Sequence, residues 1–217
     1  MPVARRIIGV DESGKGDFFG PLVVAAVLAS DDAVDDLQHL GVRDGKLIAD
    51  KKLLSIDLEI RRKFPHSLVV VTPEKYNRTY ATIKNLNKLL AACHARAIAS
   101  LLKKSPADMA ISDKFGKPEL VEDALQKLDV SITLEQVVRG EAILQVAAAS
   151  ILARAAFLRG IQRLSKDVGV ELPKGAGAIV DEVGRKIAAR QSPSIFEKIA
   201  KTHFKNYGRI LRPQLFK

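Results

Sequence analysis

The chain has 217 residues, of which 47% are hydrophobic, 28% charged and 5% aromatic, and its excess of Lys and Arg over Asp and Glu gives a formal charge of +10. This apolar fraction excludes a wholly disordered chain, and the length suits one large domain or a core with an appendage. No apolar run approaches the roughly 20 residues of a membrane-spanning helix, and the single cysteine (Cys93) excludes a disulfide framework. The acids in the opening MPVARRIIGVDE argue against a signal peptide. We therefore expect a cytoplasmic protein.

The N-terminal third predicts two strands followed by mixed structure. The runs RRIIGVDE (5–12) and LVVAAVLA (22–29) are apolar and rich in β-branched residues, and a glycine-rich loop separates them. The two runs can therefore pair across that loop. Residues 31–63 mix short helical patterns with polar loops, and SLVVVT (67–72) is a third strand by composition and length.

The rest of the chain alternates helices with strands. Apolar residues recur at helical spacing from Asn85 to Lys103, and MAISD (109–113) reads as a fourth strand that ends on an aspartate. A helix over 118–128 precedes the fifth strand, SITLEQVV (131–138), and the alanine-rich stretch 142–164 predicts a long buried helix. The pattern predicts an α/β fold with a five-stranded mixed sheet, flanking helices and a helical C-terminal extension.

The C-terminal segment carries most of the positive charge. Residues 185–217 contain one acid, Glu197, and nine bases, which are Arg185, Lys186, Arg190, Lys198, Lys201, Lys205, Arg209, Arg212 and Lys217. A basic segment on a nearly neutral body is typical of a polyanion binder, although solubility alone is an equal alternative. The few aromatic residues argue against single-strand binding by base stacking and leave duplex backbone binding open.

Carboxylates follow three of the predicted strands. Asp11 and Glu12 end the first strand, Asp113 ends the fourth, and Glu141 comes after the fifth, at the start of the long helix. If these strands are neighbours, the four acids would converge at one end of the sheet, where like charges repel unless cations neutralise them. Hard oxygen ligands favour Mg²⁺ or Mn²⁺, and two such ions about 3.5–4 Å apart form a clamp for attack on a phosphodiester.

Each of these polar residues also has a structural alternative. Glu141 would complement the positive end of a helix dipole, and Asp113 would cap a turn. His203 lies among bases and could contact phosphate or take part in proton transfer, although a lone histidine is more often structural. We interpret His94 as structural and Cys93 as part of an apolar helix face.

The loop after the first strand has a second possible use. Its sequence GVDESGKG (9–16) is one residue short of the nucleotide-binding pattern GxxxxGK[ST], because Gly16 stands where Ser or Thr should bind Mg²⁺. We favour a different interpretation, in which Gly14 and Gly16 bring bare backbone close to a substrate strand and Lys15 meets a phosphate. An ordinary glycine hairpin is the alternative.

Several motifs together resemble a type 2 ribonuclease H, and most of all ribonuclease HIII. The motifs are DESGKGDFFGPLVVAA, VAAASILARAAFL, LPKGAG and THFKN, with weaker matches in LGVRDGK, YNRTY and KNLNKLLAACHARA. They are collinear over nearly the whole chain. The resemblance implies a ribonuclease H-like sheet and metal-dependent endonucleolytic cleavage of RNA paired to DNA. Because the loop ELPKGAGA (171–178) breaks the long helix, we expect a catalytic core at 1–170 and a basic helical extension at 171–217 packed on it.

The resemblance also assigns residues. Asp11 and Glu12 match the family's opening acidic pair, Asp113 its third carboxylate and Glu141 its fourth. The family's substrate-backbone motif matches Gly14, Lys15 and Gly16, and its DSKKL stretch retains Lys46 within DGKL. Bacterial ribonuclease HIII usually carries an additional N-terminal substrate-binding domain, yet this chain starts almost at the first core strand.

We therefore expect an endonuclease that cuts the RNA strand of RNA·DNA hybrids with two Mg²⁺ or Mn²⁺ ions and leaves 5′-phosphate and 3′-hydroxyl ends. We expect the C-terminal segment to grip phosphates in place of the additional domain, through Lys198, Lys201, His203 and Lys205. No protein partner or membrane is indicated, and we expect a monomer. The alternatives are ribonuclease HII-like cleavage at single ribonucleotides in duplex DNA and a non-catalytic nucleic-acid-binding protein.

Overall fold

Within residues 4–43 and 48–212, which the computed structural model describes, five strands form one mixed sheet. The strands are β1 (Arg6–Ser13), β2 (Leu22–Ser30), β3 (His66–Val71), β4 (Met109–Asp113) and β5 (Thr133–Val137). Their order across the sheet is β3-β2-β1-β4-β5. β1 pairs antiparallel with β2 and parallel with β4, and β4 pairs parallel with β5. Every strand predicted from the sequence is confirmed, as is the α/β fold.

The helices follow the predicted alternation. They are α1 (Val34–His39), α2 (Asp50–Lys63), α3 (Pro73–Ile83), α4 (Leu86–Leu102), α5 (Glu119–Gln126), α6 (Leu144–Val168), α7 (Ala178–Ala188), α8 (Ile195–Ile199) and α9 (Lys205–Leu211). Thr72 caps the start of α3, since its hydroxyl accepts a hydrogen bond from the Lys75 amide, and the helix ends before Lys84, which adopts a left-handed conformation. Asn85 then caps α4 through the Lys88 amide, so two short-range signals separate α3 from α4.

The chain divides into two compact units. The first consists of the described residues within Met1–Ser13, Val23–Val69 and Asn85–Ala156, and the second of those within Gly14–Leu22, Val70–Lys84 and Phe157–Lys217. The second unit thus contains the described part of the predicted extension, 171–217, together with three stretches that precede it. The division into a catalytic core at 1–170 and an extension stays a prediction.

In the first unit, α6 packs so closely against β1 that one position of the strand requires glycine. A Cβ at Gly9, in the middle of β1, would lie 2.0 Å from the backbone carbonyl carbon of Gln145. The start of α6 can therefore pack directly against β1, where Val146 joins Ile7 and Ile111 in a buried cluster. This packing places the turn before α6 close to the sheet.

The second unit is built around an aromatic core and an ion pair. The Phe18 ring packs against Phe19, with centroids 4.8 Å apart, and lies 6.3 Å from Phe196. Asp181 on α7 accepts hydrogen bonds from Arg209 on α9, with Nε 2.6 Å from Oδ2. The Arg209 guanidinium and further hydrogen bonding hold the pKa of Asp181 below its ordinary value.

α6 is the one helix among the described residues that is long and apolar enough to cross a membrane by length and composition alone. Of its most apolar stretch, 67% is buried inside the protein. Burial of this kind is typical of the core helix predicted from the alanine-rich sequence. The helix continues to Val168, four residues beyond the predicted end at 164.

Candidate active site

Two predicted catalytic acids lie side by side at the carboxyl ends of parallel strands. Val10 of β1 is in register with Ser112 of β4, so the next residues, Asp11 and Asp113, come together at the same end of the sheet. Asp113 contributes electrostatic repulsion that raises the pKa of Asp11. The strand order therefore brings together acids that are 102 positions apart in the sequence.

The surroundings of the Asp11 carboxyl group raise its pKa. Burial is the largest cause and, together with the neighbouring charges of Glu12 and Asp113, raises its pKa to about 7. Two hydrogen bonds act in the opposite direction: the Glu12 amide donates to Oδ1 at 2.8 Å, and the Ser150 side chain on α6 also bonds to the carboxyl group. A carboxylate whose charge is disfavoured by burial and by acidic neighbours is suited to a nearby cation.

Glu12 contacts a buried histidine that sequence reasoning assigned only a structural role. Nε2 of His94, on α4, lies 3.1 Å from Oε2 of Glu12, a distance at which an Nε2–H donates to the carboxylate. His94 is fully buried, its ring centroid lies 4.7 Å from that of Phe115, and its Nδ1 has no hydrogen-bond partner among the described residues. His94 thus holds the Glu12 carboxylate from the helix side.

Sequence reasoning missed both residues that contact the acidic pair from helices. The signal for His94 was a polar side chain on the apolar face of the helix over 85–103. The signal for Ser150 was a hydroxyl within the alanine-rich stretch VAAASILAR. Neither signal indicates which strand lies opposite, so the partners were visible only in three dimensions.

A turn connects Asp113 to Glu141. The Gly140 amide donates to Oδ1 of Asp113 at 2.9 Å, a contact between residues 27 positions apart. Glu141 is half-buried in the 3₁₀ turn Gly140–Ala142, which precedes α6 and follows Arg139 in a left-handed conformation. The bond between Gly140 and Asp113 places the turn that contains Glu141 beside the end of β4.

The four acids fit a divalent metal by chemistry but do not form a closed ligand cage. In residues 4–43 and 48–212, no group of three or more His, Cys, Asp or Glu side chains is positioned to hold a metal ion. The carboxylate oxygens are nevertheless the hard ligands that Mg²⁺ and Mn²⁺ prefer, and a cation would offset both the burial and the neighbouring charges that raise the pKa of Asp11. The assignment of Asp11, Glu12, Asp113 and Glu141 as metal ligands stays a prediction.

The predicted substrate loop belongs to the second unit and has one obligatory glycine. Gly14 is buried with φ +87°, and a Cβ there would lie 2.2 Å from the carbonyl oxygen of Pro21. Gly16 is exposed, and a Cβ there would meet nothing within 4 Å. Lys15 is half-buried between them. The loop thus has one rigid glycine and one that presents bare backbone to the outside.

The predicted phosphate-binding residues have different environments. Lys198 and Lys205 are exposed, whereas Lys46 lies outside the described residues. The centroid of the His203 ring lies 4.1 Å from that of Tyr80 and 4.7 Å from that of Phe204. Burial and nearby Lys201 lower the pKa of His203. His203 is exposed and can therefore offer a ring N–H to a phosphate.

The prediction that Lys201 contacts phosphate is wrong. Its side chain is fully buried, and Nζ donates to the carbonyl oxygens of Asp17 and Gly20, each at 2.8 Å. Charge counting along the sequence cannot distinguish such a buried ammonium from an exposed one. Two further C-terminal bases are also engaged within the protein, since Lys186 pairs with Glu182 and Arg209 with Asp181.

Comparison with known proteins decides the family. The family model for Ribonuclease HII matches residues 8–207. Ribonuclease HIII of Chlamydia pneumoniae is 47% identical over 209 residues, which cover 95% of this chain and 70% of that protein. The chain belongs to the ribonuclease HIII family. Ribonuclease HIII of Protochlamydia amoebophila is 40% identical over 94% of this chain and 68% of its own length.

A solved member of the family has the same fold. The crystal structure of Bst-RNase HIII in complex with Mn²⁺ superposes with a TM-score of 0.90 at 36% identity, and covers 96% of this chain and 70% of that one. Membership of the ribonuclease HIII family makes the protein a metal-dependent endoribonuclease, as the motifs predicted. The family assignment from the sequence is confirmed.

Proposed function

We propose that this protein hydrolyses the RNA strand of RNA·DNA hybrids and uses Asp11, Glu12, Asp113 and Glu141 to hold two divalent ions, Mg²⁺ or Mn²⁺. The proposal includes 5′-phosphate and 3′-hydroxyl products and a cytoplasmic location, which the single buried cysteine favours. The observation that carries it is the parallel pairing of β1 with β4. That pairing brings Asp11 and Asp113 to the same end of the sheet, where burial, followed by the charges of Glu12 and Asp113, raises the pKa of Asp11.

Hydrogen bonds orient the two aspartates of the proposed metal site. Asp11 is held by the Glu12 amide and Ser150, and Asp113 by the Gly140 amide, so their oxygens are oriented before any ligand arrives. The chemistry supplied by two bound divalent ions is activation of the attacking water and stabilisation of the departing 3′ oxygen. Because the acids are oriented in advance, the site needs little rearrangement during the reaction.

The glycine loop supplies the preference for RNA in this proposal. Gly14 keeps the loop in a conformation that other residues adopt only with strain, while exposed Gly16 leaves room for a substrate strand. Backbone groups can then bond to the ribose 2′-hydroxyl, which distinguishes RNA from DNA. Lys15 would contact a phosphate of the same strand.

Paired variants test the metal-binding acids. We expect Asp11→Asn and Asp113→Asn to abolish cleavage of a labelled hybrid with either Mg²⁺ or Mn²⁺, while circular dichroism shows intact folding. Asp123→Asn makes the same chemical change on the exposed side of α5 and should retain wild-type activity. Wild-type cleavage by Asp113→Asn would refute the site.

Thermal stability provides a readout that does not depend on catalysis. Because Mn²⁺ binds the folded protein, it should raise the melting temperature of the wild type and of Asp123→Asn. The rise should be much smaller for Asp113→Asn, since one charged ligand is lost. An equal rise for both aspartate variants would place the bound metal elsewhere.

A second candidate function is cleavage at single ribonucleotides embedded in duplex DNA, because the matching family model is that of Ribonuclease HII. The relatives at 40–47% identity are ribonuclease HIII proteins, and on that ground we favour continuous hybrids. Parallel digestion of a continuous hybrid and of a duplex with one ribonucleotide, with Mg²⁺ and Mn²⁺ separately, distinguishes the two functions.

A further inference from the structure

A buried ammonium group lies in the second unit, directly behind the glycine loop. Nζ of Lys201 donates to the carbonyl oxygens of Asp17 and Gly20, both at 2.8 Å, and lies 5.7 Å from the centre of the Tyr76 ring. The side chain has no solvent exposure. Burial of a charged amine is costly unless hydrogen bonds compensate it, so these contacts are what allow a lysine at this position.

The backbone around Lys201 is also paired with the loop. The Lys201 amide donates to the Phe18 carbonyl at 2.8 Å, and the Gly20 amide donates to the Ile199 carbonyl at 2.9 Å. Between them, Phe19 and Ala200 form an antiparallel bridge. The segment 199–201 therefore runs along the loop as a short ladder, and the lysine side chain adds two bonds to the same stretch.

Other contacts hold both sides of this ladder. On one side, the Asn77 side chain donates to the Ala200 carbonyl at 2.8 Å and accepts from the Thr202 amide at 3.0 Å. On the other side, the Gly175 amide donates to Asp17 Oδ1 at 2.6 Å, and the Phe18 amide donates to the Gly175 carbonyl. The loop residues that follow Gly16 are thus fixed from two directions.

We propose that Lys201 is a positioning residue for substrate binding. Its ammonium holds the carbonyls of Asp17 and Gly20, and thereby keeps the preceding Gly14-Lys15-Gly16 backbone in the conformation that receives the substrate strand. This inference rests on the proposed function, because it assigns the loop to hybrid binding. It also replaces the surface phosphate contact that charge counting suggested for Lys201.

The buried amine of Lys201 serves the loop through its hydrogen-bond donors. Burial lowers the pKa of Lys201 to about 7, and the nearby Asp17 carboxylate acts in the opposite direction. An apolar side chain of similar length would avoid the desolvation cost but would leave two loop carbonyls without donors. The two hydrogen bonds to the loop carbonyls therefore offset the desolvation cost of the buried lysine.

Lys201→Met, which keeps the length of the side chain but removes its donors, tests the proposal. We expect the Kd for a fluorescent RNA·DNA hybrid, measured by anisotropy without divalent metal, to rise at least tenfold, and KM to rise similarly, while kcat stays within about threefold of wild type. Hydrogen exchange should be faster at the Phe18 and Gly20 amides and unchanged in β1 and β4. Unchanged Kd and KM, or a loss confined to kcat, would overturn the proposal.

Two further variants keep the test decisive if Lys201→Met folds poorly. Asn77→Ala removes the bonds to the 200–202 segment but retains the ammonium, and it should weaken hybrid binding in the same direction by a smaller factor. Ile210→Ala removes a buried side chain that packs against Gly184 in the same unit, so it should lower the melting temperature without changing the hybrid Kd. Equal Kd values for Asn77→Ala and Ile210→Ala would refute the positioning role.

Measurements on the wild-type protein distinguish failure of the proposed function from failure of the role of Lys201. If it neither binds nor cuts the hybrid, the proposed function fails and the binding comparison has no basis. If it cuts the hybrid and Lys201→Met does so with wild-type Kd, KM and loop protection, the function stands and the role of Lys201 is refuted.

Discussion

The two glycines of the GKG motif should respond to alanine in opposite ways. Gly14 has φ +87°, and its Cβ would lie 2.2 Å from a backbone oxygen of Pro21 and 2.9 Å from the Phe157 ring. Gly16 is exposed, lies outside the left-handed region and has no atom within 4 Å of an added Cβ. Gly14→Ala therefore perturbs the fold, whereas Gly16→Ala adds a methyl group only to the outer surface of the loop.

The structure sets the expected size of the stability change. A positive φ costs an alanine about 1–2 kcal/mol, and the overlap with a backbone oxygen adds about 1–3 kcal/mol because neighbouring backbone must shift. Gly14→Ala should thus lower the free energy of unfolding by about 2–5 kcal/mol, which corresponds to roughly 5–20 °C in melting temperature for a chain of this size. Gly16→Ala should stay within about 0.5 kcal/mol of wild type.

Two measurements on each variant check this prediction. Thermal and urea unfolding report stability, and anisotropy with a labelled hybrid reports binding. Gly16→Ala should weaken hybrid binding despite its normal stability, because the methyl group occupies the space offered to the substrate strand. A wild-type melting temperature for Gly14→Ala would refute the loop geometry, and a wild-type Kd for Gly16→Ala would refute the loop as a substrate contact.

Three further predictions concern charge. Replacement of exposed Lys198 and Lys205 by Met should reduce the slope of log K against log salt for hybrid binding by about one unit for each lost phosphate contact, and an unchanged slope would mean that these lysines serve solubility. His94→Asn should weaken Mn²⁺ binding, measured by electron paramagnetic resonance, by about 10–100-fold through misplacement of Glu12, and wild-type affinity would exclude that role. The lowered pKa of Asp181 stabilises the fold above the ordinary aspartate value of 3.8, and this contribution is lost as pH falls further. Asp181→Asn should therefore destabilise the protein at pH 7 and flatten the acid limb of stability against pH measured by urea unfolding, whereas an identical acid limb would contradict the assignment.

The meeting of the acids at the strand ends could be predicted from local sequence patterns. The prediction that Asp11 and Asp113 meet depended on two strands being neighbours, and composition and length were sufficient to find those strands. The parallel register of β1 and β4 then confirmed the neighbourhood. Residues on helices were harder to predict, because the face that a helix turns toward a sheet depends on packing, and so His94 and Ser150 were missed.

Sequence alone determined the α/β class, all five strands, the family and the acids at the strand ends, because strand composition and short motifs are local properties. Tertiary structure decided which charges face solvent. Lys198 and Lys201 are three positions apart and look equivalent in a basic segment, yet one is exposed and the other is buried with two carbonyls. The reason is physical: an ammonium group enters the interior only where acceptors converge, and here those acceptors come from a loop about 180 residues earlier in the chain.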